Sequence, residues 1–104
     1  MPDVRVCSTT DVKSGAHARF DVEGVPVCVI RIDDDWYAIN DTCSHEDFSL
    51  CEGDLWEEER EIECPKHGST FSLLTGDPQS LPATKPVPVY TVRVEGDDVI
   101  VTVP

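Results

Sequence analysis

Two short arms, each carrying one cysteine and one histidine, constrain this 104-residue chain more than any other feature. They are Cys43-Ser44-His45 and Cys64-Pro65-Lys66-His67-Gly68. Each spacing lets a thiolate and an imidazole converge from a tight turn on one centre or on adjacent centres, and Pro and Gly are residues typical of such turns. The chain has only three histidines, so two of them beside cysteines indicate a metal site rather than chance.

The donor set narrows the kind of metal that the arms can hold. Thiolates together with imidazoles suit zinc, copper or an iron–sulfur cluster. A structural zinc ion is the main alternative, because two cysteines and two histidines form a tetrahedral zinc set. Common zinc fingers, however, pair cysteine with cysteine and histidine with histidine, whereas both arms here are mixed. Mixed arms fit a two-metal cluster better, because each arm can give its cysteine to one metal and its histidine to the other.

The rest of the chain predicts strands. Helical periodicity is weak throughout, and short alternating segments are separated by turn residues. The predicted strands are residues 3–7, 17–22, 25–32, 36–39, 87–94 and 99–103, the last two forming a hairpin. Segment 25–32 is apolar on both faces, as in a buried strand. The fold class predicted is therefore an all-β sandwich or small barrel. Residues 40–71 remain as a long polar loop region, which is usually functional.

Length and charge restrict the function classes. A chain of 104 residues is a single domain, 1–104. Its net charge of −13 repels nucleic acid phosphates and anionic lipids and favours a basic protein partner. No apolar run reaches membrane-spanning length, and the N-terminus lacks the features of a signal peptide. We therefore expect no nucleic acid partner, no membrane association and a cytoplasmic location.

The cysteines outside the arms are expected to be structural. An odd count of five argues against a complete disulfide framework, and a reducing cytosol favours thiols or metal ligation. Cys7 and Cys28 lie in predicted strands and are expected to be small core residues. Cys51 lies after the first arm, where packing is favoured and a spare ligand or a redox thiol is the alternative. His17 is expected at the surface.

The paired arms resemble the ligand signature C-x-H…C-P-x-H-G of Rieske proteins. The similarity extends over nearly the whole chain, toward the ferredoxin branch, through Asp41-Thr42, Leu50, Gly53, Thr75-Gly76 and Leu81-Pro82-Ala83. The resemblance implies a Rieske-type fold, in which an antiparallel β-sandwich base carries an inserted cluster-binding subdomain of two loops, here roughly residues 40–72. It also implies one [2Fe–2S] cluster, with two cysteine ligands on one iron and two histidine ligands on the other. The implied ligands are Cys43, His45, Cys64 and His67.

Departures from the high-potential branch of the family indicate which branch this chain follows. Respiratory Rieske proteins join their two loops by a disulfide, and the corresponding positions here are Phe48 and Lys66. A tyrosine that would bond a ligand sulfur is replaced by Phe71, whereas Ser69 is kept. Fewer hydrogen bonds to sulfur imply a lower reduction potential. The resemblance therefore implies a low-potential, disulfide-free ferredoxin. The residues expected around its cluster are Ser69, Phe71, Pro65 and Gly68.

The function implied by the resemblance is soluble one-electron transfer, not catalysis. Such a monomeric carrier accepts electrons from an NAD(P)H-dependent flavin reductase, the ferredoxin reductase, and passes them to a terminal non-haem iron oxygenase by transient docking. Three alternatives stay open. They are a Rieske ferredoxin of iron–sulfur cluster assembly or another redox pathway, a nitrite reductase small subunit, and a zinc-stapled binding module.

Overall fold

Antiparallel strands make up most of the chain, as the alternating segments predict. The computed structural model describes residues 3–43, 48–66, 68–79, 81 and 84–103. The strands in this part are β1 (Asp3–Ser8), β2 (His17–Val22), β3 (Val25–Ile32), β4 (Asp35–Asn40), β5 (Leu55–Trp56), β6 (Glu61–Glu63), β7 (Thr70–Ser72), β8 (Val89–Glu95) and β9 (Asp98–Thr102). Two 3₁₀ turns, Thr9–Asp11 and Leu50–Glu52, complete the regular structure. The all-β prediction is confirmed, and the described part contains no helix long and apolar enough to cross a membrane.

The larger sheet forms the base of the molecule. Its strand order is β1-β9-β8-β4-β3-β2, with antiparallel neighbours throughout. The sheet curls until its two edge strands, β1 and β2, contact each other. A two-residue turn joins β2 to β3, and Glu23 and Gly24 both have positive φ, 51° and 80°. That is the geometry of a type I′ hairpin turn, which fits the two-residue gap between the predicted strands 17–22 and 25–32.

A smaller sheet, β5-β6-β7, lies within the region that the sequence predicted as loop. Its strands have two or three residues each, too short for an alternation to be visible in the sequence. Their register places Leu55 opposite Ile62 and Ile62 opposite Phe71. The apolar residues therefore form one row across the sheet, and this row packs inward.

Strand β3 separates two apolar cores, which explains why both of its faces are apolar. One face, with Val27 and Val29, packs into what we call the base core. The opposite face, with Cys28 and Ile30, packs under the smaller sheet into what we call the arm core. The base core comprises Cys7, Val12, Val22, Val27, Val29, Ala38, Val99, Val101 and Val103. The arm core comprises Cys28, Ile30, Ile32, Ile39, Cys43, Leu50, Ile62, Cys64, Phe71, Leu73 and Val87. Each fully buried aliphatic side chain contributes roughly 1.5–3 kcal/mol to folding.

Candidate metal centre

The two arms begin in the same way. Cys43 follows the bridged pair Thr42 and Ser49, and Cys64 follows the strand pair Glu63 and Thr70. In each arm the cysteine N–H donates to the carbonyl five residues further on. These bonds join Cys43 N to Phe48 O at 2.9 Å and Cys64 N to Ser69 O at 2.7 Å. Both cysteines therefore start a six-residue connection that is closed by an equivalent backbone hydrogen bond.

Both arm cysteines lie in the arm core. Cys43 is 3 % exposed and Cys64 is 1 % exposed, and neither is in a disulfide. A thiolate in such apolar surroundings is costly unless a cation neutralises it, so two buried cysteines on matched loops fit a metal centre held by thiolates. The other two implied ligands, His45 and His67, lie outside the described residues.

A buried carboxylate holds the first arm. Asp41, directly after β4, is 3 % exposed. Its Oδ1 accepts hydrogen bonds from Ser49 Oγ and from Cys51 N, both at 2.9 Å. Its Oδ2 lies 3.0 Å from Arg19 Nε on β2. One side chain thus ties the residues on both sides of the first arm to the base sheet. Sequence reasoning noted Asp41 only as part of a resemblance, although an acid directly after a buried strand is itself a signal.

The second arm is held by backbone geometry. It is the connection of the β6–β7 hairpin, and Gly68 has φ +74° and donates its N–H to Cys64 O at 3.0 Å. This positive φ explains the glycine that the sequence placed in the turn. The nearby Gly53 packs so closely that a Cβ there would overlap the Glu63 carbonyl oxygen, and the Pro65 ring lies beside it. The second arm therefore depends on close backbone packing.

The residues at Phe48 and Lys66 contact each other. The Lys66 ammonium lies 4.9 Å from the centroid of the Phe48 ring, which is cation–π geometry. These are the positions that the sequence comparison identified as lacking an inter-loop disulfide, and here a non-covalent contact joins the arms. Of the other expected neighbours, Phe71 is fully buried and Ser69 is 1 % exposed, whereas Pro65 and Gly68 are exposed.

The remaining cysteines differ from the prediction. Cys7 is a buried core thiol, as predicted, and burial raises its pKa. Cys28 and Cys51, however, are joined in a disulfide, so the expectation that both are packing thiols is wrong. The protein is therefore not disulfide-free, although the positions of the inter-loop disulfide hold Phe48 and Lys66 as the sequence showed. The reason is tertiary. Cys28 points from β3 into the arm core, and the turn at Leu50–Glu52 brings Cys51 to a Cα–Cα distance of 5.5 Å, within the usual disulfide range.

His17 lies beside this disulfide rather than at the open surface. It is partly buried, and its Nδ1 is 3.5 Å from Cys51 Sγ. The donor atoms of His17, Cys28 and Cys51 all lie within 4.8 Å of one another. Within the described ranges, this is the only group of three or more potential metal donors brought this close. It is distinct from the two arms.

Comparison with known proteins identifies the family and the fold. The family model described as "Rieske [2Fe-2S] domain" matches residues 3–91. The 3-phenylpropionate/cinnamic acid dioxygenase ferredoxin subunit of Escherichia coli (strain K12) is 39 % identical over 104 residues, covering 100 % of this chain and 96 % of that protein.

Two solved structures extend this result to three dimensions. The ferredoxin of carbazole 1,9a-dioxygenase from Nocardioides aromaticivorans IC177 has a TM-score of 0.93 and 40 % identity, covering 97 % of both chains. A chain in a complex of reduced oxygenase and oxidised ferredoxin of carbazole 1,9a-dioxygenase has a TM-score of 0.88 and 40 % identity, covering 95 % of this chain and 91 % of that one. The family model, the relative and the two solved structures all match nearly the whole sequence. The chain therefore belongs to the Rieske [2Fe–2S] domain family, on its ferredoxin branch, and is an electron carrier rather than an enzyme.

Proposed function

We propose that this protein is the one-electron carrier of an aromatic-ring dioxygenase system. It takes electrons from an NAD(P)H-dependent flavin reductase and delivers them to a terminal non-haem iron oxygenase. The observation that carries the proposal is the pair of matched loops, each beginning with a buried cysteine in the same arm core. The names of full-length relatives as dioxygenase ferredoxins support the same system over the cluster-assembly and nitrite reductase alternatives.

The ligand set that we propose is Cys43 and Cys64 on one iron and His45 and His67 on the other. Burial of both cysteines in the same apolar core supports their assignment to one iron. A [2Fe–2S] cluster bound there supplies a site that gains and loses one electron. With two thiolates and two neutral imidazoles the oxidised site has no net charge, which makes electron uptake easier than with four thiolates.

The residues around the arms set how the site is held. Asp41 holds the first arm through two side chains, Ser49 and Arg19, and the backbone N–H of Cys51. Phe71 fills the arm core without offering a hydroxyl to a ligand sulfur. Lacking that donor, the reduced and more negative site is less stabilised, so we expect a potential at the low end for Rieske proteins.

Surface charge suits transient docking. The net charge of −13 favours encounter with a partner whose docking face is basic, and steering of this kind acts mainly on the association rate. Small, weak interfaces are normal for electron-transfer partners. We expect a monomeric carrier that works in the cytoplasm, and its association with both partners should weaken as ionic strength rises.

Ligand variants test the proposed site. Cys64→Ser and His67→Cys are expected to alter the visible spectrum, and His67→Cys should also lower the potential because a thiolate adds negative charge. The matched control is Cys7→Ser, which changes a buried cysteine outside the arms and should leave the spectrum unchanged. EPR of the dithionite-reduced protein should give an average g below 2. A colourless protein that contains zinc would contradict the cluster.

Reconstitution tests the function. The purified carrier is combined with a flavin-containing ferredoxin reductase, NADH and an aromatic-ring dioxygenase, and the oxidised product is measured. Product formation should require the carrier and should cease with Cys64→Ser. A carrier that contains the cluster and is reduced by the reductase, yet supports no product with any ring dioxygenase tested, would favour another redox pathway.

A further inference from the structure

We propose that Cys28, Cys51 and His17 form a second redox site, a two-electron thiol–disulfide couple that exchanges with a dithiol through Cys51. This site is separate from the one-electron chemistry of the arms. Its basis is the disulfide itself together with an imidazole nitrogen 3.5 Å from one of the two sulfurs.

Burial makes the two cysteines of the disulfide unequally accessible to an external thiol. Cys28 is fully buried in β3, whereas Cys51 is partly exposed on the turn Leu50–Glu52. His17, at the start of β2, is partly exposed like Cys51, and its Nδ1 lies beside the Cys51 sulfur. A dithiol from outside therefore reaches the Cys51 sulfur, and Cys28 is the group that leaves toward the core.

The exchange balances without a further reagent. A thiolate of the dithiol attacks Cys51 Sγ, the Cys28–Cys51 bond breaks, and Cys28 leaves as a thiolate that takes up a proton. The second thiolate of the dithiol then attacks the other dithiol sulfur, the one bonded to Cys51 in the mixed disulfide. This step releases the Cys51 thiolate. The dithiol is oxidised to a disulfide and the protein gains two electrons and two protons.

His17 is the proton donor and acceptor of this couple. In the reducing direction its protonated ring gives a proton to the Cys51 thiolate as that thiolate leaves. In the oxidising direction the neutral ring takes the proton from the Cys51 thiol and so produces the nucleophile.

The redox state of the Cys28–Cys51 couple is linked to the support of the first arm. The disulfide ties β3 to the turn that follows the first arm, and the N–H of Cys51 donates to Asp41, the carboxylate that holds that arm. Cys28 also shares the arm core with Cys43 and Cys64. Opening the disulfide removes the covalent connection between this turn and β3 and leaves the hydrogen bonds to Asp41 in place.

The test uses the oxidised cluster-containing protein under anaerobic conditions. It is treated with dithiothreitol, sampled over time into N-ethylmaleimide, and analysed by peptide mass spectrometry. Peptides with Cys28 and Cys51 should be unlabelled before reduction and labelled after it, while visible absorption persists. Cys7, buried and with a raised pKa, is the internal reference. Oxidised dithiothreitol should restore the disulfide.

Variants separate the role of His17 from the disulfide. His17→Gln should slow reduction about tenfold, because it removes the proton donor and acceptor. Lys13→Gln, which changes an exposed residue of the adjoining loop, should leave the rate unchanged. A disulfide that resists dithiothreitol until the protein unfolds, or two thiols already labelled before reduction, would overturn the proposal. Equal rates in the two variants would overturn the role of His17.

Discussion

The two arms begin alike but are held by different means. Each starts with a buried cysteine whose N–H closes a six-residue connection. The first arm is then tied to the base sheet by a side chain, the carboxylate of Asp41. The second arm is tied by backbone geometry, as the connection of a hairpin with Gly68 in the left-handed region. Equivalent buried cysteine positions can thus rest on electrostatic support in one loop and on steric support in the other.

This difference predicts that the two arms respond to different kinds of substitution. The first arm should respond to loss of charge and hydrogen bonding, because a buried polar group that loses its partners is costly. The second should respond to any Cβ added where the backbone needs glycine. Single substitutions, each with a matched control, can break or sharpen the comparison.

The largest effect is expected at Gly53, where the segment after the first arm packs against the start of the second arm. In Gly53→Ala the new Cβ would overlap the Glu63 carbonyl oxygen, so the segments must separate. We expect a loss of at least about 4 kcal/mol in unfolding free energy and loss of the visible chromophore. Urea unfolding followed by circular dichroism measures the first quantity. The control Gly24→Ala, with positive φ but open space, should cost only about 1 kcal/mol.

Removing the carboxylate should selectively disturb the first arm. Asp41→Ala deletes two hydrogen bonds and an ion pair at a buried site, and we expect a loss of about 3 kcal/mol in urea unfolding. Visible circular dichroism of the chromophore should change as well. Asp21→Ala is the control, because Asp21 also pairs with Arg19 but is exposed, and it should cost less than about 0.5 kcal/mol. Equal effects of the two substitutions would remove the special role of Asp41.

Gly68→Ala should disturb the second arm by a smaller amount. The position has φ +74° with no atom near an added Cβ, so the cost is backbone strain of about 1–2 kcal/mol. Gly96→Ala introduces similar strain in the β8–β9 turn, far along the chain from either arm. Both variants should lose similar stability in urea, but only Gly68→Ala should speed loss of visible absorption on mild heating. The same rate of loss in both would argue against backbone support of this arm.

The contact between the arms should have the smallest effect on stability. Lys66→Met keeps the length of the side chain but removes the charge over the Phe48 ring, at a cost of about 0.5 kcal/mol. Losing a positive charge within the second arm should also lower the reduction potential slightly, as protein-film voltammetry would show. Lys13→Met removes an exposed charge elsewhere and should leave the potential unchanged. A potential that rises in Lys66→Met would contradict this electrostatic role.

Much of the base could be predicted because its signals are local. Strands β2 and β3 have the predicted bounds, since alternation and a two-residue turn define them within a few residues of chain. The strands of the smaller sheet could not be predicted, because two or three residues show no period. The arms were recognisable from cysteine and histidine spacing alone, whereas the two means of holding them were not.

The sequence by itself determined the donor types, their spacing and an all-β frame, because these depend on residues adjacent along the chain. Tertiary structure decided that Cys28 pairs with Cys51, that His17 lies beside them, and that the buried Asp41 reaches Arg19. Each of these contacts joins segments that are distant in sequence. The contacts form because β3 lies between the two cores and because the turn after the first arm packs against it. The two arms can therefore be identified from the sequence, whereas the contacts that hold them and the neighbouring disulfide depend on the fold.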